Sequence, residues 1–194
     1  CGRGRSTRAR SRERRRAARG RCCPRRRRSA VPLWAASRAA SPAQRLADLG
    51  ITLPDVPAPV AAYVPAVRSG AYIYTSGQLP FVDGALLHTG LVGSDVSVVD
   101  AVACARQCAL NALAAVASQA GGLENVRIIK VVGFVASADG FTAQPQVANG
   151  ASELFGQIFG VLGVHVRSAV GVSVLPLDAP VELELVVEAS AAAF

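Results

Sequence analysis

The 194-residue chain has a formal charge of +8 at pH 7, but residues 1–30 hold 14 arginines against one acid, while the other 164 residues hold 7 basic and 12 acidic side chains, a charge of −5. An acidic body argues against nucleic-acid work, because phosphate binding needs a positive field and only the basic tail supplies one. Five cysteines without a paired framework do not describe a secreted disulfide scaffold, and no run reaches the roughly 18 apolar residues that span a bilayer; a soluble, reducing, cytoplasmic setting is expected.

Residues 1–40 read as a disordered Arg-rich tail and linker, and residues 41–194 as one folded domain. The tail has almost no apolar side chains with which to build a core. Three readings of it stay open: a nucleic-acid arm, an organelle transit peptide without the usual apolar stripe, or the product of a start site placed too far upstream. The last fits a stretch made largely of Arg, Ala, Gly, Pro and Ser in a chain without methionine.

In the body, SPAQRLADLG predicts a short helix with Ser41 as N-cap, Pro42 in the first turn and Gly50 as stop. LPDVPAPVA is too rich in proline for regular structure. Two β-rich runs flank Arg68-Ser69-Gly70 and predict a hairpin. A glycine-rich loop carrying His88 follows. From Ser97 to Gly121 an apolar stripe of Val102, Ala109, Leu113 and Val116 predicts a long helix ended by Gly121-Gly122. Cys104 and Cys108 lie on it as buried apolar groups, without the nearby histidines a zinc site needs. NVRIIKVVGFVAS, dense in β-branched residues, predicts a central strand buried on both faces along much of its length. Pro145 to Leu162 predicts a second helix with Val147, Leu154, Phe155 and Ile158 inward. Two strands broken at Leu175-Pro176 close the domain. The order ββ–α–β–α–ββ implies an α+β layer with both helices on one sheet face. The other face stays apolar, and self-association is the simplest way to cover it.

Chemistry concentrates in the last two strands. Arg167 opens the first of them, and Glu182 and Glu184 alternate on the second. An isolated guanidinium with acids on the adjacent strand suits forked capture of a small carboxylate, and equally suits a structural ion pair. His165, two residues before Arg167, is open to two readings, a place in the same cleft or, the one preferred, a surface position. His88 has no evident partner for catalysis.

Four segments in order carry a resemblance: AYVPAVRSGAYIYTSGQLP, ARQCALNALAAVASQAGGLENVRIIK, VANGASELF and RSAV…LPLDAPVELEL. Together, from about Val60 to Ala189, they resemble the RidA/YjgF family of reactive-imine deaminases, once described as endoribonucleases. The resemblance implies a chorismate-mutase-like mixed sheet with two helices on one face, and a homotrimer with sites between subunits. It makes Arg167 the substrate-carboxylate arginine, Glu182 the site glutamate, and Tyr63, Ser76 and Asn149 further pocket residues. It implies hydrolysis of 2-aminoacrylate, 2-aminocrotonate and their imine tautomers to 2-keto acids and ammonia, with no metal or organic cofactor. The partners implied are the imino acid and further copies of the chain, with no membrane, and nucleic acid only through the tail. A non-catalytic carboxylate-binding trimer and an endoribonuclease are the alternatives. Two positions depart from the family pattern: Ala169 stands where a cysteine is usual, and Ser152 replaces the second-helix tyrosine.

Overall fold

The computed structural model describes residues 40–56 and 62–190; the expectations for the Arg-rich segment and for residues 57–61 lie outside them. Ser41 begins the first helix, α1 (Pro42–Asp48), its hydroxyl accepting a hydrogen bond from the Gln44 N–H at 3.2 Å. Strands β1 (Ala66–Ser69) and β2 (Tyr72–Thr75) form the expected hairpin, turning through Gly70 at φ +61°. The glycine-rich loop contains a small hairpin that the sequence reading missed, β3 (Phe81–Val82) and β4 (Ala85–Leu86). Its two-residue strands are too short for an alternating pattern to register.

Helix α2 (Val98–Ala120) is capped by Ser97, whose hydroxyl accepts from the Asp100 N–H, and is closed by the left-handed Gly121. Strand β5 (Val126–Ala136) leads to α3 (Gln144–Phe159), a 3-10 turn (Gly160–Gly163) and β6 (Val166–Val172). A second 3-10 turn (Pro176–Asp178) precedes β7 (Val181–Ala189). The sheet runs β1-β2-β7-β5-β6, with β5 and β6 parallel and the other pairs antiparallel. This is the expected mixed α+β sheet. The crossover through α3 sets β6 at one edge, while β7 returns on the other side of β5.

One sheet face packs on α2 and α3. Ile73, Val131, Leu183 and Val187 from the strands meet Leu113, Val116, Leu154, Phe155 and Ile158 from the helices, all fully buried, with Cys104 and Cys108 among them. Val102 of the expected α2 stripe is only half-buried, and its backbone lies against α3 at Gly150. A Cβ on Gly150 would overlap the Val102 carbonyl. By length and composition α2 is apolar enough to cross a membrane, contrary to the sequence expectation, but 61% of its most apolar window is buried within the fold.

The second face carries Val67, Tyr72, Tyr74, Val166 and Val170, all exposed in the single chain. Strand β5 is therefore not buried on both sides. Its burial alternates, interrupted by a register shift between Ile128 and Lys130, and Val132 and Phe134 on the open face are half-buried.

Candidate active site

Arg167 is the second residue of edge strand β6 and pairs with Val131, whose side chain belongs to the helix-covered face. Its guanidinium therefore turns toward α3. Nη1 donates to Asn149 Oδ1 and to Ser152 Oγ, each at 3.0 Å, and Nη2 donates to the Pro145 carbonyl at 3.2 Å. Asn149 and Ser152 stand three apart on α3 and so share a face. All three acceptors are neutral, so the positive charge meets no carboxylate there. Of the five N–H donors of a guanidinium, Nε–H and one Nη2–H have no partner among the described residues. Two adjacent free donors on a fixed arginine can hold one carboxylate.

Beside Arg167 lies an open depression of about 390 Å³, lined also by Ser152, His165, Gly156, Gly163 and Val164. His165 is not the surface residue expected from the sequence. It is half-buried, its ring edge-on to Phe155 at 5.8 Å between centroids, with Nδ1 2.6 Å from the Gly163 carbonyl and Nε2 3.0 Å from Ser152 Oγ. A carbonyl can only accept, so Nδ1 carries the proton. In the neutral ring Nε2 is then the acceptor for the Ser152 hydroxyl, which in turn accepts from Arg167.

Glu182 pairs with Phe134 on the open face, and Glu184 follows on the same face opposite Val132. The Glu182 carboxyl lies against Gly77, where a Cβ would overlap its Oε1. Burial first, and then the neighbouring charge of Glu184, raise its pKa above the ordinary glutamate value. Gln78 and Leu183 exchange backbone hydrogen bonds of 2.9 and 3.0 Å, which brings Ser76 and Gly77 beside the start of β7. The Ser76 hydroxyl donates to the Val64 carbonyl at 2.6 Å, and Tyr63, next in the chain, is exposed.

The five residues expected at the site thus form two groups. Arg167 and Asn149 lie on the helix side of the β6 edge; Glu182 and Ser76, with the Tyr63 segment beside them, lie at the start of β7. The acids are not on the strand adjacent to Arg167, because β5 intervenes, and Arg167 and Glu182 point to opposite sheet faces. They do not meet within one chain, and Arg167 makes no structural ion pair with either glutamate. His88 lies 3.9 Å from Asp100 at the start of α2, outside both groups.

Comparison with known proteins agrees with this architecture. Residues 43–189 match the family described as "YjgF/chorismate_mutase-like, putative endoribonuclease". Protein TCP17 of Trypanosoma cruzi is 43% identical over 148 residues, covering 75% of this chain and 92% of that protein. The crystal structure of Atu1372 from Agrobacterium tumefaciens, a protein of unknown function, superposes with a TM-score of 0.69 at 46% identity, covering 75% of this chain and 91% of that one. An endoribonuclease-named protein from Shewanella oneidensis superposes at 0.75 with 33% identity, covering 77% and 99%. With this match over residues 43–189, a five-stranded mixed sheet and two helices on one of its faces, the chain belongs to the RidA/YjgF family.

Proposed function

We propose that this chain hydrolyses small reactive 2-imino acids, such as the imine tautomers of 2-aminoacrylate and 2-aminocrotonate, to 2-keto acids and ammonia. The observation that carries this reading is Arg167, held by three neutral acceptors beside an open depression with two donors left for a carboxylate. A carboxylate bound there fixes the adjacent C=N carbon, and water adds to that carbon. Glu182, made more basic by burial and then by the charge of Glu184, is suited to accept the proton of the attacking water. The imine is already electrophilic, so positioning and one proton acceptor suffice, a gain of about 10²–10⁴ in rate.

Because Glu182 and Arg167 lie on opposite faces of their own sheet, a complete site takes Arg167 from one copy and Glu182, with Tyr63 and Ser76, from the next. A closed ring of three copies would hide the exposed valines and tyrosines of the open face and set the two groups against each other across each interface. The test is keto-acid formation from an imine generated in situ by a dehydratase. Faster keto-acid release supports the reading. Binding of 2-oxobutanoate without any acceleration would make the protein a carboxylate-binding trimer, and RNA cleavage by a chain starting at Ser41 would favour the nuclease reading.

A further inference from the structure

Strand β2 does not run evenly beside β7. Tyr74 pairs with Val186, and just past the end of β2 Gln78 pairs with Leu183. Four steps along one strand match three along the other, so one extra residue is taken up between Thr75 and Gly77, a β-bulge. In an even ladder the Leu185 N–H would meet the Thr75 carbonyl, because bonded pairs recur at every second residue from Ala71 and Ala189. It meets the Thr75 hydroxyl instead, at 2.9 Å. A side-chain oxygen thus takes the place of a main-chain one where the register changes.

The extra residue changes what Glu182 faces. Without it Gln78 would stand opposite Glu182, with its side chain on the same face. A Gln78 amide N–H on the carboxylate would favour the charged form and weaken it as a base. With the bulge, Gln78 pairs with Leu183 and is buried, and Gly77 comes against the carboxyl, Oε1 filling the space a Cβ would need. The other side of the bulge is held by Ser76, whose N–H donates to the Pro65 carbonyl at 2.9 Å and whose hydroxyl donates to the Val64 carbonyl. Among the titratable groups around Glu182, Glu184 lies two residues along on the same face, and Tyr74 and Lys130 stand opposite Val186 on the flanking strands. From α2, Cys108 reaches the Val181 carbonyl at 3.5 Å, its thiol kept neutral by burial.

We propose that Thr75 is a positioning residue for the acid half of the site: its hydroxyl fixes the bulge that sets Gly77, rather than Gln78, against the Glu182 carboxyl. The kinetic part of this rests on the imine-hydrolysis reading above; the placement of the carboxyl does not. Loss of the hydroxyl leaves the Leu185 N–H without an acceptor, a cost that the even register removes by supplying the main-chain carbonyl of residue 75. That register brings Gln78 onto Glu182.

The experiment compares wild type, Thr75→Val, Thr75→Ser and Thr75→Cys as full chains. It reads the Glu182 carboxyl titration by carbon NMR and the pH profile of kcat with the imine made in situ. In Thr75→Val the carboxyl should titrate nearer the ordinary glutamate value and the acid limb of kcat should move to lower pH. There kcat should fall about tenfold, and KM, which depends on Arg167 two strands away, should change less. Thr75→Ser, which keeps the acceptor, should titrate as wild type. A threonine with a purely structural role would lower the melting temperature without moving the titration. Thr75→Cys, whose sulfur is a weaker acceptor, should shift in the same direction by less, and carries the test if the valine variant does not fold. A wild-type titration in folded Thr75→Val or in Thr75→Cys overturns the proposal and leaves the imine-hydrolysis reading standing. The expected titration shift without imine turnover in wild type overturns the imine reading and leaves the positioning of Glu182 standing.

Discussion

Replacing Arg167 by lysine tests the carboxylate anchor with little change in charge. A guanidinium has five donors, and three of them are held by Asn149, Ser152 and the Pro145 carbonyl. An ammonium has three donors in total, on a shorter and unforked head, so the same three acceptors can occupy all of them. Lysine at 167 therefore keeps its place in the fold and loses the fork. Two charge-assisted hydrogen bonds to substrate, at about 1.5 kcal/mol each, amount to about 3 kcal/mol, or roughly a 150-fold loss in kcat/KM. The assay is the initial rate of keto-acid formation across imine concentrations, with gel filtration and a thermal melt to show that the assembly is intact. Wild-type kcat/KM in the lysine variant would refute the anchoring role of Arg167, and so would an equal loss when an uncharged ketone-derived imine replaces the acid.

Glu182→Gln should lower kcat more than it raises KM, since the amide keeps the shape but accepts no proton. The same variant carries a pH signature. The Glu182 pKa is raised in the folded protein, so ionising it opposes folding; that cost is absent below about pH 4 and develops as pH rises through the raised value. The glutamine variant should accordingly melt above wild type at pH 7 and level with it near pH 4; a constant difference would assign the effect to packing. Mixing inactive Arg167→Ala and Glu182→Gln subunits should restore part of the activity by joining an intact half from each, and a mixture as inactive as its parents would place the whole site within one chain. Gly156→Ala should raise stability by about 0.5–1 kcal/mol in a denaturant melt while increasing KM, because the methyl enters open space at the mouth of the depression. A loss of stability would show instead that a neighbouring copy closes on that turn.

Most elements were legible because their signals are local. Ser41 and Ser97 bond to backbone within three residues, and the stripe of Val147, Leu154, Phe155 and Ile158 needs only the helical period. The relation between Arg167 and Glu182 was not legible. Alternation along a strand tells which residues share a side, but not which side of the sheet that is, nor which strand lies next door. Here the α3 crossover and the β5 bulge decide both, and neither leaves a mark in the last two strands. The choice for His165 between the cleft and the surface was not legible for a similar reason. It folds back onto Ser152, thirteen positions earlier, only because Gly160 takes φ +57° and the 3-10 turn reverses the chain. Ser152 had stood out only as a replaced tyrosine, with no hint of a histidine partner.

The crossing of α2 and α3 at Gly150 has a mechanical meaning for the chemistry. Gly150 lies directly after Asn149 and two residues before Ser152, so the two side chains that grip Arg167 ride on the turn of α3 that is seated hardest against α2. The interhelical spacing there acts as a datum from which the guanidinium is placed. A single methyl at position 150 would lift this turn away from α2 and carry both grips with it, tilting the arginine without touching any residue that meets substrate. Tuning of the site from behind, through the seam between the helices, is thus available to the fold, and is limited to the width of one glycine.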